Sequence, residues 1–416
     1  MINLNMALAG KEVGRRWRPC VDLGQVYLWH WALSRQFSFR LVFPSSGGGA
    51  PEGGRMMRCG SPQTDDQPVN TMTFCSRSGG GIFTLLACLA VLSGCGRWPP
   101  PPPSLIVSVS VDQLRGDLLE HYDSLFSGGF RRLLDDGLRF PGTTHAHAKT
   151  STAPGHTTLA TGVHPSRNGI VGNSWLERSP EGWRSVYSVE DSLSHILGFP
   201  AMEGRSPANL LRGGLADWLL EADSSAVIVS VSRKDRAAIG LAGRARGHVY
   251  WITANQGKFV TSSFYAEAYP GWVERFNLEE MPRIFGDSVW EQTLPVEARE
   301  YTRGDSASYE GDGVHTFFPH SFWEEGGDPS RPGALNRWAY GRIHPDVAVA
   351  AFAEAAVSEL ALGLDEIPDY LALSFSQTDA IGHEFGPFSR EQLENLMNLD
   401  RLLGRLMNHL DDRVGE

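Results

Sequence analysis

Residues 104–111, Ser104-Leu-Ile-Val-Ser-Val-Ser-Val111, form a short β-branched run that stops abruptly at Asp112-Gln-Leu-Arg115. A run of this length and composition predicts a strand buried on both faces, of the kind found in parallel sheets. Two more runs follow the same plan. Ser225-Ala-Val-Ile-Val-Ser-Val-Ser232 is followed by Lys234-Asp-Arg236, and Asp369-Tyr-Leu-Ala-Leu-Ser-Phe-Ser376 by Thr378-Asp379. Helical patterns lie between and after them, at 128–136 around Phe130, Leu133 and Leu134, and in the Ala/Val/Glu-rich stretch 345–362. A last helix is expected from Ser389, an N-cap with Gln392 three residues on, to about Leu410. Buried strands alternating with helices predict an α/β layered domain. Such sheets bind ligands beyond the carboxyl ends of their strands, and all three runs deliver charged side chains there. Between the second and third runs, 249–330 is rich in Tyr, Trp, Phe and Gly with many turn signals, and reads as an insertion or subdomain over one rim of the sheet.

Composition divides the chain into two unlike parts. The 416 residues carry a net charge of −11, but the first 95 contain 9 basic and 5 acidic residues, and the remainder 28 and 43. The acidic domain argues against a nucleic-acid binder. All five cysteines (Cys20, Cys59, Cys75, Cys88, Cys95) precede residue 96. A metal site in the later domain must therefore use His and carboxylates. Residues 1–71 are Trp/Arg/Gly-rich without sustained periodicity, and are read as a disordered, spurious extension ahead of a true start at Met72. Residues 72–95 have the apolar core of a signal peptide and end in Leu92-Ser-Gly-Cys95, which looks like a bacterial lipobox. Cys95 is then the lipidated residue, and 96–103, ending in the proline run Pro99 to Pro103, a stiff linker. On this reading the protein is exported and lipid-anchored to a bacterial membrane, periplasmic or at the cell surface.

Three clusters carry chemistry. Asp379-Ala-Ile-Gly-His383 puts a carboxylate and an imidazole on one face of a helical turn, able to grip one cation, and Asp112 ends another strand. Oxygen ligands with an imidazole suit Zn²⁺ or Mn²⁺, although Asp112 alone is as readily a helix cap. Thr150-Ser-Thr-Ala-Pro-Gly-His-Thr-Thr158 reads as a helix N-terminus with Pro154 at its first position, where a hydroxyl faces backbone N–H groups, either as a cap or as a nucleophile activated by a nearby metal. Lys234 and Arg236 are either solvated loop residues or a phosphate grip, and Asn173 either donates to the same oxyanion or shapes a turn.

In order and spacing these fragments resemble a known family. Val111-Asp-Gln-Leu-Arg115, Thr150 to Thr157, Gly169-Ile-Val-Gly-Asn173, Ser232 to Arg236 and Thr378-Asp-Ala-Ile-Gly-His-Glu-Phe-Gly-Pro387 are similar to motifs of the alkaline phosphatase superfamily. Within it they resemble the type I phosphodiesterase/nucleotide pyrophosphatase-like branch, and most closely its bacterial phosphate-irrepressible, threonine-nucleophile alkaline phosphatases. The resemblance covers 104–416 and implies an α/β/α sandwich with an inserted subdomain, two Zn²⁺ per complete site and a covalent phosphothreonine. By motif position Thr152 matches the nucleophile and a metal-bound oxygen. Asp112 matches a ligand of the activating metal, Asp379 and His383 ligands of the other, and Asn173, Lys234 and Arg236 the holders of the phosphate oxygens.

The expected substrates are small-molecule phosphate monoesters, since a Lys-Asp-Arg loop supplies donors for the third terminal oxygen that a diester lacks. A phosphodiesterase or nucleotide pyrophosphatase is the alternative within the family, and a non-catalytic remnant that binds phosphate or metal the alternative outside it. The family pattern continues with an Asp-His-Gly segment and a final His, which the sequence up to Glu416 does not contain, so the domain is expected to be C-terminally incomplete.

Overall fold

The computed structural model of the chain describes residues 2–8, in backbone only, and 102–415. The readings made for residues 9–101 (most of the extension, the signal sequence, the lipidated Cys95 and most of the linker) lie outside the described residues.

In chain order the elements are β1 (Ile2–Leu8), β2 (Leu105–Val111), α1 (Gly129–Asp136), α2 (Thr152–Thr161), β3 (Ser174–Ser179), β4 (Gly182–Tyr187), β5 (Glu190–Ile196) and β6 (Phe199–Arg205). Then come α3 (Leu215–Ala222), β7 (Ile228–Ser232), α4 (Asp235–Ala242), β8 (His248–Thr253), β9 (Lys258–Val260), α5 (Gly271–Phe285), β10 (Val289–Trp290) and β11 (His320–Ser321). The last are α6 (Ala334–Tyr340), α7 (His344–Glu359), β12 (Asp369–Phe375), α8 (Gln377–Phe385) and α9 (Arg390–Arg413).

The three β-branched runs form the centre of one sheet, ordered β1-β2-β12-β7-β8-β9. β2, β12, β7 and β8 are parallel, and β1 and β9 close the two edges antiparallel. Every residue of β12 is buried, as continuous apolar runs in a doubly covered sheet require. Its alternate residues divide the core. Leu371, Leu373 and Phe375 pack with α1, α5, α7 and α9, while Tyr370 and Ala372 pack with α3 and α4. The architecture is the predicted α/β/α sandwich.

Register decides where chemistry can occur. Phe375 pairs with Val111, and Ser374 with both Ser110 and Ser232, so three neighbouring strands end within one residue of each other. Whatever follows Val111, Ser232 and Phe375 is delivered to one place. The helices that follow are fixed by buried polar groups. Ser389 caps α9 by accepting Gln392 N–H at 3.0 Å, as its spacing predicts. Asp400 of α9 accepts the N–H groups of Ser127, Gly128 and Phe130 at 2.9, 2.7 and 2.7 Å, pinning the start of α1.

Two expectations are corrected. Residues 1–71 are not wholly without structure, because Ile2–Leu8 pairs along β2 from Ile2↔Val111 to Leu8↔Leu105. Ile2, Leu4, Met6 and Leu8 alternate with Asn3, Asn5 and Ala7. A seven-residue alternation is enough to satisfy the backbone groups of an otherwise open strand edge. Nor is 249–330 an insertion from its first residue, since β8 and β9 extend the central sheet. No helix among the described residues is long and apolar enough to cross a membrane.

Candidate active site

The first side chain beyond β2 is Asp112, buried to 3% exposure, its backbone N–H bonded to Phe375 O at 2.9 Å. Gln113 follows in the left-handed region at φ 60°, unusual for a residue with a Cβ, and this turns the chain sharply away behind the carboxylate. Asp112 Oδ2 accepts from two donors, the Thr152 hydroxyl at 3.0 Å and the Lys234 ammonium at 2.6 Å. Lys234 Nζ also lies 2.5 Å from Asp379 Oδ2. Asp379 and His383, one turn apart on α8, stand 3.3 Å apart through Oδ1 and Nε2. The His383 ring is open to solvent, its side chain 71% exposed, and its Nε2 lies 3.2 Å from Gln113 Nε2.

Thr152 is the first residue of α2, with Ser151 as N-cap in extended conformation. Pro154 is third in the helix rather than first, a position equally free of the need for an N–H donor. His156, one turn on, is fully buried between two partners. Its Nδ1 lies 2.8 Å from Thr152 O and its Nε2 2.8 Å from Ser374 Oγ. A carbonyl only accepts, so Nδ1 carries the proton and Nε2 accepts from Ser374. Burial, outweighing the pull of Asp112, holds this imidazole below its usual pKa and therefore neutral. His156 thus ties the backbone of Thr152 to β12. On its other side α2 meets α4 at Gly240, where a Cβ would stand 3.0 Å from Thr157 Oγ1.

Asn173 enters through the backbone, its Oδ1 accepting Ala153 N–H at 2.8 Å. That bond fixes the amide's orientation, so Nδ2 is the end left to donate to a ligand. Arg236 stands apart from the bonded group. Its Nη1 donates to Tyr187 OH at 3.2 Å, Tyr187 OH donates to Asp235 Oδ1 at 2.6 Å, and Arg205 Nε reaches Asp235 Oδ2 at 2.8 Å. Burial works against the Arg236 charge, but Tyr187, Asp235 and Asp112 raise its pKa on balance. Burial likewise works to raise the Asp112 pKa. The charge of Lys234 and the hydrogen bonds from Lys234 and Thr152 overcome it and hold the carboxyl below its usual range.

The structure therefore gathers Asp112, Thr152, Lys234 and Asp379 into one bonded group, with His383 on Asp379 and Asn173 on the next residue's N–H. Two contributors carry no local sequence signal. Asp346 of α7 is wholly buried and accepts Ser376 N at 2.9 Å and Gln377 N at 3.2 Å, capping the helix that bears Asp379 and His383. Burial pushes its carboxyl up to about 7 against those bonds and the charges of Arg233 and Lys234. Tyr187 is the other, and nothing in its spacing ties it to Arg236. His156, by contrast, stands inside the quoted motif four residues after Thr152, and that helical spacing was the signal for it.

Among the described residues no three His, Cys, Asp or Glu side chains already form a metal cage. The Lys234 ammonium nevertheless holds positive charge between the buried Asp112 and the partly exposed Asp379 carboxylates, where it stands in for a metal cation. Two carboxylates, a hydroxyl and an imidazole are donors that a divalent ion of zinc's type accepts, so the residues present fit the part of the site they supply. A cleft of about 300 Å³ opens beside Lys234 and Arg236. A smaller cavity of about 180 Å³ lies at the other end of β8, around His248 and Tyr265, away from all these groups.

A family model described as type I phosphodiesterase / nucleotide pyrophosphatase matches residues 106–416. The chain is 34% identical over 322 residues to alkaline phosphatase PhoV of Synechococcus elongatus, covering 76% of this chain and 57% of that protein. It is 33% identical over 325 residues to alkaline phosphatase PafA of Elizabethkingia meningoseptica, covering 76% and 58%. The crystal structure of wild-type PafA superimposes with a TM-score of 0.69 at 32% identity, covering 76% of this chain and 61% of that one. The chain thus spans less than two thirds of the length of these relatives.

Proposed function

The chain belongs to the type I phosphodiesterase / nucleotide pyrophosphatase family, and from that premise we propose a metal-dependent phosphomonoesterase acting on small phosphate esters through Thr152, with two zinc ions per complete site. The observation that carries this reading is the cationic point between Asp112 and Asp379, 2.6 and 2.5 Å from their carboxylates, beside a hydroxyl at a helix N-terminus. Divalent ions, one held by Asp112 with Thr152 and one by Asp379 with His383, supply when bound the Lewis acidity that eases deprotonation of the hydroxyl and departure of the alcohol.

Asp112, held below the usual carboxylate range, is a weak proton acceptor, so its part is to orient the Thr152 hydroxyl and to bind positive charge. The Thr152 oxygen attacks phosphorus as its proton passes to solvent, and the phosphorus–oxygen bond to the alcohol breaks with that oxygen taking a proton from solvent. Water then hydrolyses the Thr152 phosphoester, releasing phosphate and restoring the hydroxyl. Asn173 Nδ2, the start of α2 and the Arg236 guanidinium offer donors to the non-bridging oxygens. Lys234 and Arg236 together suit a dianionic monoester better than a singly charged diester. The names of the relatives, alkaline phosphatases, support the same choice.

The zinc-supplemented protein is expected to hydrolyse 4-nitrophenyl phosphate faster than bis(4-nitrophenyl) phosphate, and a preference for the diester would establish the phosphodiesterase alternative instead. Export and lipid anchoring belong to the proposal through Leu92-Ser-Gly-Cys95. Mass analysis of the membrane fraction should find a mature chain starting at a lipidated Cys95, and a start elsewhere refutes the anchor.

A further inference from the structure

The cleft beside the candidate site is lined by Arg233, Lys234, Arg236, Trp251, Gln256 and Tyr340, among others. Its volume of about 300 Å³ lies at the lower end of the range for small-molecule sites. Lys234 and Arg236 belong to the phosphate-binding group already described, whereas Arg233 has had no part in it.

Five arginines among the described residues carry a buried Nε with no hydrogen-bond partner: Arg233, Arg236, Arg303, Arg342 and Arg390. Four of them have a carboxylate beside them. Arg236 lies 3.9 Å from Asp235, Arg342 2.7 Å from Glu325 and Arg390 3.0 Å from Asp305, while Arg303 pairs closely with Glu310. Arg233 forms no ion pair among the described residues. Asp346 feels its charge, but that carboxylate is occupied by the backbone N–H groups of Ser376 and Gln377. Arg233 instead lies over the Tyr340 ring, its guanidinium carbon 4.0 Å from the ring centre. Stacking of this kind fixes the plane of the guanidinium and leaves its N–H edge free for a planar or tetrahedral anion.

We propose that Arg233 and this cleft form a second anion subsite, which selects phosphate monoesters whose alcohol portion carries a further carboxylate or phosphate. The proposal rests on the phosphomonoesterase reading above and deepens it by naming a substrate class. The phosphoryl group that reacts sits with Thr152, Asn173 and Arg236. The remote anion lies in the cleft on Arg233, with Lys234 between the two negative charges. Gln256 and the aromatic walls of the cleft accommodate the organic link.

Binding of non-hydrolysable phosphonates tests this without relying on turnover. Phenylphosphonate and its 3- and 4-carboxy derivatives are titrated calorimetrically into the zinc-supplemented protein. At least one carboxy isomer is expected to bind about tenfold more tightly than the parent, as one desolvated guanidinium–carboxylate pair allows. Arg233→Met should reduce that advantage to within about twofold, and Arg233→Lys should keep part of it. Equal wild-type affinity for all three, no binding of any, or an advantage that survives Arg233→Met overturns the subsite. The wild-type comparison is decisive even if a variant fails to fold. Hydrolysis of 4-nitrophenyl phosphate is measured in parallel. A carboxylate advantage without hydrolysis of any monoester refutes the phosphatase reading, whereas hydrolysis without the advantage refutes the subsite alone.

Discussion

Replacing Lys234 with Met keeps the aliphatic stem and removes the ammonium that joins Asp112 to Asp379. Lys234 is 8% exposed, Asp112 3%, and the Asp379 side chain 20%. Removing one partner of a buried ion pair costs about 3–5 kcal/mol. The partial exposure of Asp379 and protonation of Asp112 lower the expected loss to about 2–4 kcal/mol at neutral pH without metal. At about 2–4 °C per kcal/mol for a domain of this order, Tm should fall by roughly 4–16 °C. The loss should itself depend on pH. In the wild type the lowered Asp112 pKa contributes stability that is present above the ordinary value of 3.8 and lost as pH falls through the folded value. Without Lys234 the balance tips towards burial, so the variant is penalised as pH rises, and the two melting curves should draw together as pH falls towards and below 3.8. Zinc should reverse the order of response. The ammonium and a bound ion compete for the same carboxylate oxygens, so the variant should gain more from metal than the wild type, with about 2.7 kcal/mol available at a hundredfold excess over Kd. Thermal melts from pH 4 to 8, in chelator and with zinc, measure all of this. Equal wild-type and variant Tm at pH 7 in chelator, or equal gains from zinc, would refute the picture of one cationic point shared by lysine and metal.

Thr152→Ala should abolish any acid-stable phosphoprotein formed from a labelled monoester, and a label that persists on the variant would refute Thr152 as the nucleophile. Asp346, raised to about 7 from an ordinary 3.8, contributes stability that is complete below the lower value and lost as pH rises through the upper. Metal-free urea melts of the wild type should therefore weaken between about pH 4 and pH 7, by about 4 kcal/mol at most. Asp346→Asn should flatten that profile, and a variant that keeps the wild-type slope would show that another group carries it.

The parallel strands were legible because β2, β7 and β12 are buried on both faces, and such burial leaves an unbroken apolar run in the sequence. The hairpins β3–β4 and β5–β6 were not, because their strands are largely exposed and polar, with no apolar face to alternate. β8 is buried too, but its Tyr250-Trp251 centre blended into the aromatic segment beyond it. Asp112, Lys234 and Asp379 could be expected at one site because residues beyond the ends of neighbouring parallel strands converge. Their actual bonding could not be read. The sequence places Lys234 near the phosphate, and its bridge between two carboxylates, which depends on strand register, leaves no local signal. His156 on Ser374 and Asp346 beneath α8 are contacts across 218 and 30 residues respectively, and neither leaves a local pattern.

The contact of α2 with α4 at Gly240 has a dynamic consequence. Because the two helices touch where one has no side chain, Thr152 and Lys234 sit at the heads of bodies that cannot slide past each other without backbone collision. That flank of the site is stiff. The other flank bears a partly exposed Asp379 and an open His383 on a nine-residue helix held at its start by Asp346. On the proposed function, ligands of different bulk should be accommodated by give in the last turn of α8, where His383 is open, and amide exchange there should report their arrival while α2 stays silent.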